Sequence, residues 1–277
     1  MTTTITAADV KKLRDMTDAG MMDCKKALEA TAGDFEAAVD FLRKQGLKMA
    51  AKRADREATE GVVMAKVHSS RNYGIIVKVS SETDFVAKNE SFIAFANSIA
   101  EAALENRPAD TAALLELKLD GISIAERVAE QVGKIGEKIE VAQYEHVSSS
   151  QVAAYIHAGY RAAVLVAINQ ESAEAYEAAK DVAMQVAAMK PIALDKDDVD
   201  AAVVMREMEI VKEQTRLEGK PEEMVEKIAA GRLNKFYKES TLLNQEFVKD
   251  SSKSVAQFLE SVSKGLTVKS FRYVSLG

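Results

Sequence analysis

A strand–turn–strand–helix pattern occurs twice in this chain, and it constrains the fold more than any other feature. From Gly61 the apolar residues take a period of two, with Val63, Ala65 and Val67 alternating with their neighbours. Ser69-Ser70-Arg71-Asn72 supplies a turn, after which Ile75, Val77 and Val79 alternate again. Alternation puts every second side chain on the same side, so the segment reads as a hairpin with one buried face. A helix follows with Phe92, Phe95, Ala96, Ile99 and Ala103 on one stripe, and a further strand is expected across Ile139, Val141 and Gln143. The pattern then recurs. Val152 to His157 reads as a strand, Ala158-Gly159 as a turn, and Ala162 to Asn169 as an apolar strand. The next helix carries Ala175, Ala179, Val182, Val186 and Met189. The expected fold is α+β: two related lobes, residues 61–146 and 147–277, each a sheet covered on one side by helices.

The segments around the repeat are helical. Thr6 and Asp9 form a capping-box pattern ahead of Val10, Leu13 and Thr17, and Gly20 reads as the stop. Asp23 is placed to cap a second helix with Cys24, Ala27, Leu28 and Thr31 inward. Asp34 caps a third with Phe35, Ala38, Val39 and Leu42 inward, and Gly46 reads as its end. Residues 1–46 resemble a small three-helix domain of the ubiquitin-associated type, which buries little surface and leans on a partner or on the rest of the chain. Residues 47–60, with Lys48, Lys52, Arg53 and Arg56, read as a basic linker, part helical. No aromatic residue interleaves with those charges, so base stacking has no platform there.

Within the second lobe, Pro191 closes the long helix. Residues 197–218 form a charged helix with Val203, Ile210 and Leu217 spaced by seven. Gly219-Lys220-Pro221 turns the chain, and Glu222 to Ala230 returns. This antiparallel helical hairpin, about 197–230, is expected to project from the body, the alternative being an ordinary packed pair. A helix with Val255, Phe258, Leu259 and Val262 and a strand near Phe271 and Tyr273 complete the chain.

Several function classes recede. The net charge of −6, from 37 basic and 43 acidic residues, argues against a surface that grips nucleic acid throughout. Cys24 is the only cysteine, so neither an intramolecular disulfide nor a cysteine metal cage is available, and a reducing compartment suits the chain. No signal-peptide pattern and no membrane-length apolar stretch occur, so the expected location is cytoplasmic. Gly133-Lys134-Ile135-Gly136 is too short for a phosphate loop and lacks its hydroxyl residue. His68, His146 and His157 have no metal-ligand spacing. The expectation is a chain that is not an enzyme and that carries no metal, no cofactor and no nucleotide of its own.

Ser80 to Asn89 joins a buried strand to a helix and sets a carboxylate beside an aromatic ring. From spacing alone, Asp84 caps the helix and Phe85 packs below it. Thr83-Asp84-Phe85-Val86-Ala87-Lys88-Asn89 is one of several ordered motifs. The others include Leu13-Arg14-Asp15-Met16-Thr17, Ala19-Gly20-Met21-Met22-Asp23-Cys24-Lys25-Lys26-Ala27-Leu28, Gly133-Lys134-Ile135-Gly136-Glu137, Tyr155-Ile156-His157 with Arg161, Val164-Leu165-Val166, Gly219-Lys220-Pro221 and Gly231-Arg232-Leu233. Together they resemble the translation elongation factor Ts family, over nearly the whole chain.

The resemblance implies a guanine nucleotide exchange factor for elongation factor Tu, a GTPase that carries aminoacyl-tRNA. Such a factor binds Tu with its GDP, disturbs the GTPase's Mg²⁺ site, promotes GDP release and is displaced by GTP. It implies that Thr83, Asp84, Phe85 and Val86 dislocate the Mg²⁺, Phe85 as rigid bulk and Asp84 as the polar contact. It further implies docking through Arg14, Met21, Met22, Ile135, Gly136 and His157. Read without it, Met21 and Met22 fit the small domain's own core equally well, and His157 fits a buried, hydrogen-bonded histidine. Two departures stand out. Ser81 occupies a position where many relatives carry cysteine, and Ala158, Tyr160, Ala162 and Ala163 fill a turn where relatives are rich in glycine. The hairpin is left open between a contact with Tu and one with a second copy. The alternative function is a non-catalytic translation or chaperone-like adaptor that binds its partner through the three-helix unit.

Overall fold

Short-range hydrogen bonds set the ends of the first helices. The computed structural model describes residues 4–277, so residues 1–3 of the small domain's expected span lie outside the described residues. Helix α1 (Ala7–Thr17) starts at Thr6, whose hydroxyl accepts from the Asp9 N–H while the Asp9 carboxylate accepts from the Thr6 N–H. It ends at Asp18, in the left-handed region at φ 52°, before Gly20 is reached. Gly20 is instead the N-cap of α2 (Met21–Ala30), and Asp23 lies inside that helix's first turn. Asp34 caps α3 (Phe35–Arg53), accepting from the Ala37 N–H at 3.0 Å. Val10, Leu13, Cys24, Ala27, Leu28 and Ala38 form the core of this unit.

The first lobe follows. Strands β1 (Glu60–Val67) and β2 (Tyr73–Ser81) pair antiparallel, from Glu60 opposite Ser81 to Val67 opposite Gly74. Then come α4 (Asp84–Ala87), α5 (Glu90–Asn106), α6 (Thr111–Glu116), the two-residue strands β3 (Lys118–Leu119) and β4 (Ile122–Ser123), α7 (Ile124–Ile135) and β5 (Glu140–Ser148). The sheet order is β1-β2-β5. The second lobe comprises β6 (Gln151–His157), β7 (Ala162–Ile168), α8 (Ala173–Met189), α9 (Ala201–Leu217), α10 (Glu222–Ser240), β8 (Glu246–Phe247), β9 (Asp250–Ser254), α11 (Val255–Val262) and β10 (Val268–Ser275). Its sheet has β6, β7 and β10 in that order.

The repeat runs deeper than hairpin plus helix. Each lobe continues with a short β ribbon, a capped helix, and a third strand beside the second strand of the hairpin. Even the caps correspond: Ser123 boxes with Glu126 ahead of α7, and Ser254 boxes with Gln257 ahead of α11. The helical pair α9–α10 occupies the place that α6 holds in the first lobe. That pair is longer than the sequence reading, with α10 continuing past Ala230 to Ser240, and α9 begins at Ala201 rather than 197. The seven-spaced residues Val203, Ile210 and Leu217 are exposed. The seam lies one residue over. Val211 and Thr215 are buried there with Val225 and Ala229 of α10, and the Thr215 hydroxyl is satisfied by the Val211 carbonyl at 2.7 Å. Ion pairs Lys212–Glu226, Arg216–Glu222 and Arg232–Glu218 flank it.

The first hairpin is buried on both faces, not one. Val62, Met64, Ile75, Val77 and Val79 face Phe92, Ile99, Ile124 and Val132 of the covering helices. Val63, Ala65, Ile76 and Val147 face Val152, Ala163, Leu165, Ala167 and Val274 of the other sheet. The remaining face of the second sheet lies under α8 and α11. The layers therefore run helix, sheet, sheet, helix. The sheets meet closely at Gly74, where a Cβ would come within 2.9 Å of both Leu165 Cδ2 and Val152 Cγ1 and those side chains would have to shift. Leu165→Ala, which empties the centre of that contact, is expected to cost about 2–5 kcal/mol in urea unfolding followed by circular dichroism.

Helix α3 does not end at Gly46. It continues through it to Arg53, so much of the stretch read as a basic linker is helix. The reason is tertiary. A Cβ on Gly46 would sit 2.7 Å from the Ala129 carbonyl oxygen, and one on Gly133 would sit 3.0 Å from the Gly46 Cα. Two glycines thus let α3 and α7 cross with their backbones nearly touching. Arg43–Glu130 and Lys134–Asp18, each at 2.9 Å, pin the crossing. The three-helix unit is docked on the first lobe through this crossing.

Candidate functional site

Directly after β2 the chain makes one turn of helix, α4, too short to be stable by itself. Its N-cap is Thr83, not Asp84; the Thr83 hydroxyl accepts from the Val86 N–H at a long 3.5 Å. Stronger bonds hold the turn from outside. The Glu137 carboxylate accepts from the Thr83 N–H at 3.0 Å and from the Thr83 hydroxyl at 2.7 Å. The buried Ser81 hydroxyl donates to the Thr83 carbonyl at 3.0 Å. Val86 packs on the first lobe's core, and Ala87 is buried.

With Thr83, Val86 and Ala87 anchored inward, Phe85 points out. It is 84% exposed, the most exposed large hydrophobic side chain among the described residues. The spacing-based expectation that it packs beneath its helix is therefore corrected. Asp84 is half-exposed and accepts from Lys88 Nζ at 2.6 Å. The Lys88 hydrogen bond and charge hold the Asp84 carboxyl below its ordinary value of 3.8. Support from this pair is present above that value and is lost as pH falls through the lower folded one. Amide exchange of the Asp84–Ala87 turn, corrected for intrinsic rates, is expected to be flat from about pH 8 to 5 and to quicken only below about pH 4.

Five of the other sequence-named residues fall into two groups, and His157 stands apart. Arg14, Met21 and Met22 are exposed on the three-helix unit, the two methionines at 51% and 63%, so they are not its core. Ile135 ends α7 and packs partly on the first lobe's core, and Gly136 takes the left-handed conformation that closes the helix, φ 81°. These groups lie on neighbouring elements. Lys134 bonds Asp18, between α1 and α2, and Glu137, next to Gly136, bonds Thr83. His157 stands at the turn between β6 and β7. It is exposed rather than buried, and its Nδ1 lies 3.3 Å from the Tyr155 hydroxyl. That turn meets the same end of the first lobe, where Arg161 pairs with Glu60 at 3.3 Å and Glu60 is opposite Ser81. No hydrogen bond joins His157 to the Thr83 turn among the described residues.

Sequence reasoning missed the residues that hold these parts together. The Glu82 carboxylate accepts from the Lys138 N–H at 2.6 Å and pairs with Arg53 and Arg56 at 3.4 and 3.1 Å. The Lys138 hydrogen bond, aided by Arg56 and Arg53, keeps the Glu82 carboxyl below its ordinary value. Among the described residues no group of three or more His, Cys, Asp and Glu side chains is placed to hold a metal ion. No described helix is long and apolar enough to cross a membrane.

The geometry describes a class: a two-lobed α+β protein with an acid–aromatic turn that projects from the first lobe and is braced from below. Residues 82–277 match the family described as Elongation factor TS. Over 274 residues, 99% of each chain, the sequence is 50% identical to Elongation factor Ts of Amoebophilus asiaticus. It is 52% identical over 275 residues, again 99% of each, to that of Cytophaga hutchinsonii. To that of Chloroherpeton thalassium it is 48% identical over 269 residues, 95% of this chain and 93% of the relative. The chain belongs to the elongation factor Ts family, a family of translation elongation factors.

Proposed function

We propose that the chain is a guanine nucleotide exchange factor for elongation factor Tu, acting in the cytoplasm, binding no nucleotide itself and catalysing no covalent step. Thr83, Asp84, Phe85 and Val86 form the wedge. Arg14, Met21, Met22, Ile135 and Gly136 dock the GTPase beside it, and His157 touches it from the second lobe.

The mechanism is linkage. GDP with its Mg²⁺ stabilises one arrangement of a GTPase's switch and phosphate loops. A factor that binds the emptied arrangement better weakens nucleotide binding by the same factor. Mg²⁺ demands near-ideal octahedral geometry, so a small displacement of its supporting groups costs much. Phe85 supplies the displacing bulk, and Asp84 supplies a charged acceptor for groups exposed by the displacement. Incoming GTP reverses the coupling, so the factor is released.

The observation that carries the reading is the outward Phe85 on a turn too short to hold itself yet held by Glu137. A lone exposed ring is ordinary on a protein surface; the support comes from its place on a turn braced by a charged acceptor, within the Thr83–Asn89 motif that resembles the family's. The experiment is release of fluorescent GDP from purified Tu, with and without this protein. Release accelerated by catalytic amounts is expected. Binding to Tu without faster release would favour the adaptor reading instead.

A further inference from the structure

We infer that Glu137 and Glu82 are positioning residues for exchange: they lock the Phe85 turn to the Ile135–Gly136 turn and to the end of α3, so that the wedge cannot be pushed back when it meets the partner. The inference rests on the reading of Phe85 as the wedge.

The Phe85 turn begins where a sheet ladder stops. β2 and β5 pair as far as Ser80 opposite Glu140. Beyond that pair the strands diverge, and the backbone N–H groups of Thr83 and Lys138 are each taken by a carboxylate from the opposite segment. Glu137 accepts from Thr83, and Glu82 accepts from Lys138. The two bonds are reciprocal, each segment giving one N–H and one carboxylate, and they continue the antiparallel order of the ladder from 80 opposite 140 to 83 opposite 137, so the segments cannot part without breaking both. The arginines at the end of α3 add a third element. Arg53 and Arg56 sit on Glu82, and Lys138 Nζ donates to the Arg56 carbonyl at 2.9 Å. Two turns proposed to touch the partner, and the end of the helix that carries the three-helix unit, thus converge on two carboxylates.

The brace has a mechanical reason. A wedge works only if displacing the partner costs less than displacing the wedge. One turn of helix resists little, because helix formation is unfavourable until several turns have formed. Its own cap bond is long at 3.5 Å, whereas the bond from Thr83 Oγ1 to Glu137 is 2.7 Å. Charged acceptors make the stronger hydrogen bonds. Among the hydrogen bonds made by Thr83 at the start of the turn, those to Glu137 are therefore the stronger hold.

The test compares the unaltered protein, Glu137→Ala, Glu137→Gln, Phe85→Ala and the double variant Phe85→Ala/Glu137→Ala by GDP release from Tu over a range of factor concentrations. Glu137→Ala removes two hydrogen bonds and is expected to lower the saturating rate about 10-fold while the half-saturating concentration moves less than about 3-fold. Glu137→Gln keeps one acceptor oxygen and should fall between. In the Phe85→Ala background, Glu137→Ala should add less than about 2-fold, because two groups acting as a unit are not additive. An undiminished saturating rate in Glu137→Ala, or the same 10-fold loss in both backgrounds, would overturn the inference. If Glu137→Ala melts early, the isosteric Glu137→Gln carries the comparison alone. Should Phe85→Ala exchange normally, the wedge reading fails first and the brace falls with it. That pattern is distinct from a normal Glu137→Ala beside an impaired Phe85→Ala.

Discussion

Phe85→Ala is expected to slow Tu-dependent GDP release about 100-fold while leaving the thermal melt of the free protein almost unchanged. The first half follows from what an aromatic anchor contributes at an interface. Truncating a central aromatic costs about 2–4 kcal/mol of binding, and 2.7 kcal/mol corresponds to about 100-fold in rate. For a wedge that loss falls on the state in which the nucleotide site is distorted, so it appears in the saturating rate. The second half follows from exposure. With 84% of the residue in water, Phe85 contributes little to its own fold, and surface substitutions stay within about 0.5 kcal/mol. The anchoring bonds at Thr83 and the packing of Val86 do not involve the ring. Stopped-flow release and a melting curve on the same preparation check both halves. Phe85→Leu, which keeps bulk but loses the flat ring, should lie between.

The second large effect concerns the crossing of α3 and α7. Gly46→Val is expected to cost about 1–3 kcal/mol of stability, the usual penalty for forcing atoms into a filled contact. The clash here is with backbone, the Ala129 carbonyl at 2.7 Å from the first added atom, so no side chain can rotate aside. Leaving glycine returns only about 0.5–1 kcal/mol of helix propensity, and a β-branched residue less. A functional consequence of similar size accompanies the stability change. Met21 and Met22 belong to the unit that α3 carries, whereas Ile135 and Gly136 end the helix it crosses. Moving the helices apart misaligns the two surfaces proposed to dock Tu, so the half-saturating factor concentration should rise at least about 10-fold. Denaturant unfolding and a concentration series of GDP release measure the two effects separately. Gly46→Ala, with a single added carbon, should show both in weaker form.

Much of this architecture was open to sequence reasoning, and the gaps have physical causes. Thr6 with Asp9, and Asp34, were readable as caps because their partners lie three residues away. The two hairpins and their long helices were readable from period alone. The second buried face of the first hairpin was not. In Val62-Val63-Met64-Ala65 both alternating sets are apolar, and choosing one set hid the other sheet behind it. Helix α7 had a signal that went unused, a capping box at Ser123 and Glu126 with Ile124, Val128 and Val132 at helical spacing. Gly46 looked like a helix stop because a glycine that ends a helix and one that lets another helix approach are locally the same. The difference lies in Ala129 and Gly133, far along the chain.

The candidate site divides the same way. Local spacing placed Phe85 beneath its helix, and only the family resemblance singled it out as a contact residue. Its outward direction follows from the inward anchoring of Thr83, Val86 and Ala87, and part of that anchoring comes from Glu137, more than fifty positions away, whose hydrogen bond to Thr83 has no local trace. Met21 and Met22 were ambiguous because a helix of the small unit offers two faces. Cys24, Ala27 and Leu28 take the inner one, which leaves the methionines outside.

The most direct test of the account is the Mg²⁺ dependence of the Phe85 effect. GDP release from Tu is measured with the unaltered protein and with Phe85→Ala, once in millimolar Mg²⁺ and once with the cation chelated. If Phe85 acts by disturbing the metal's supporting groups, the two proteins differ about 100-fold with Mg²⁺ present and by only a few-fold once the metal is gone. An equal difference under both conditions would contradict the account.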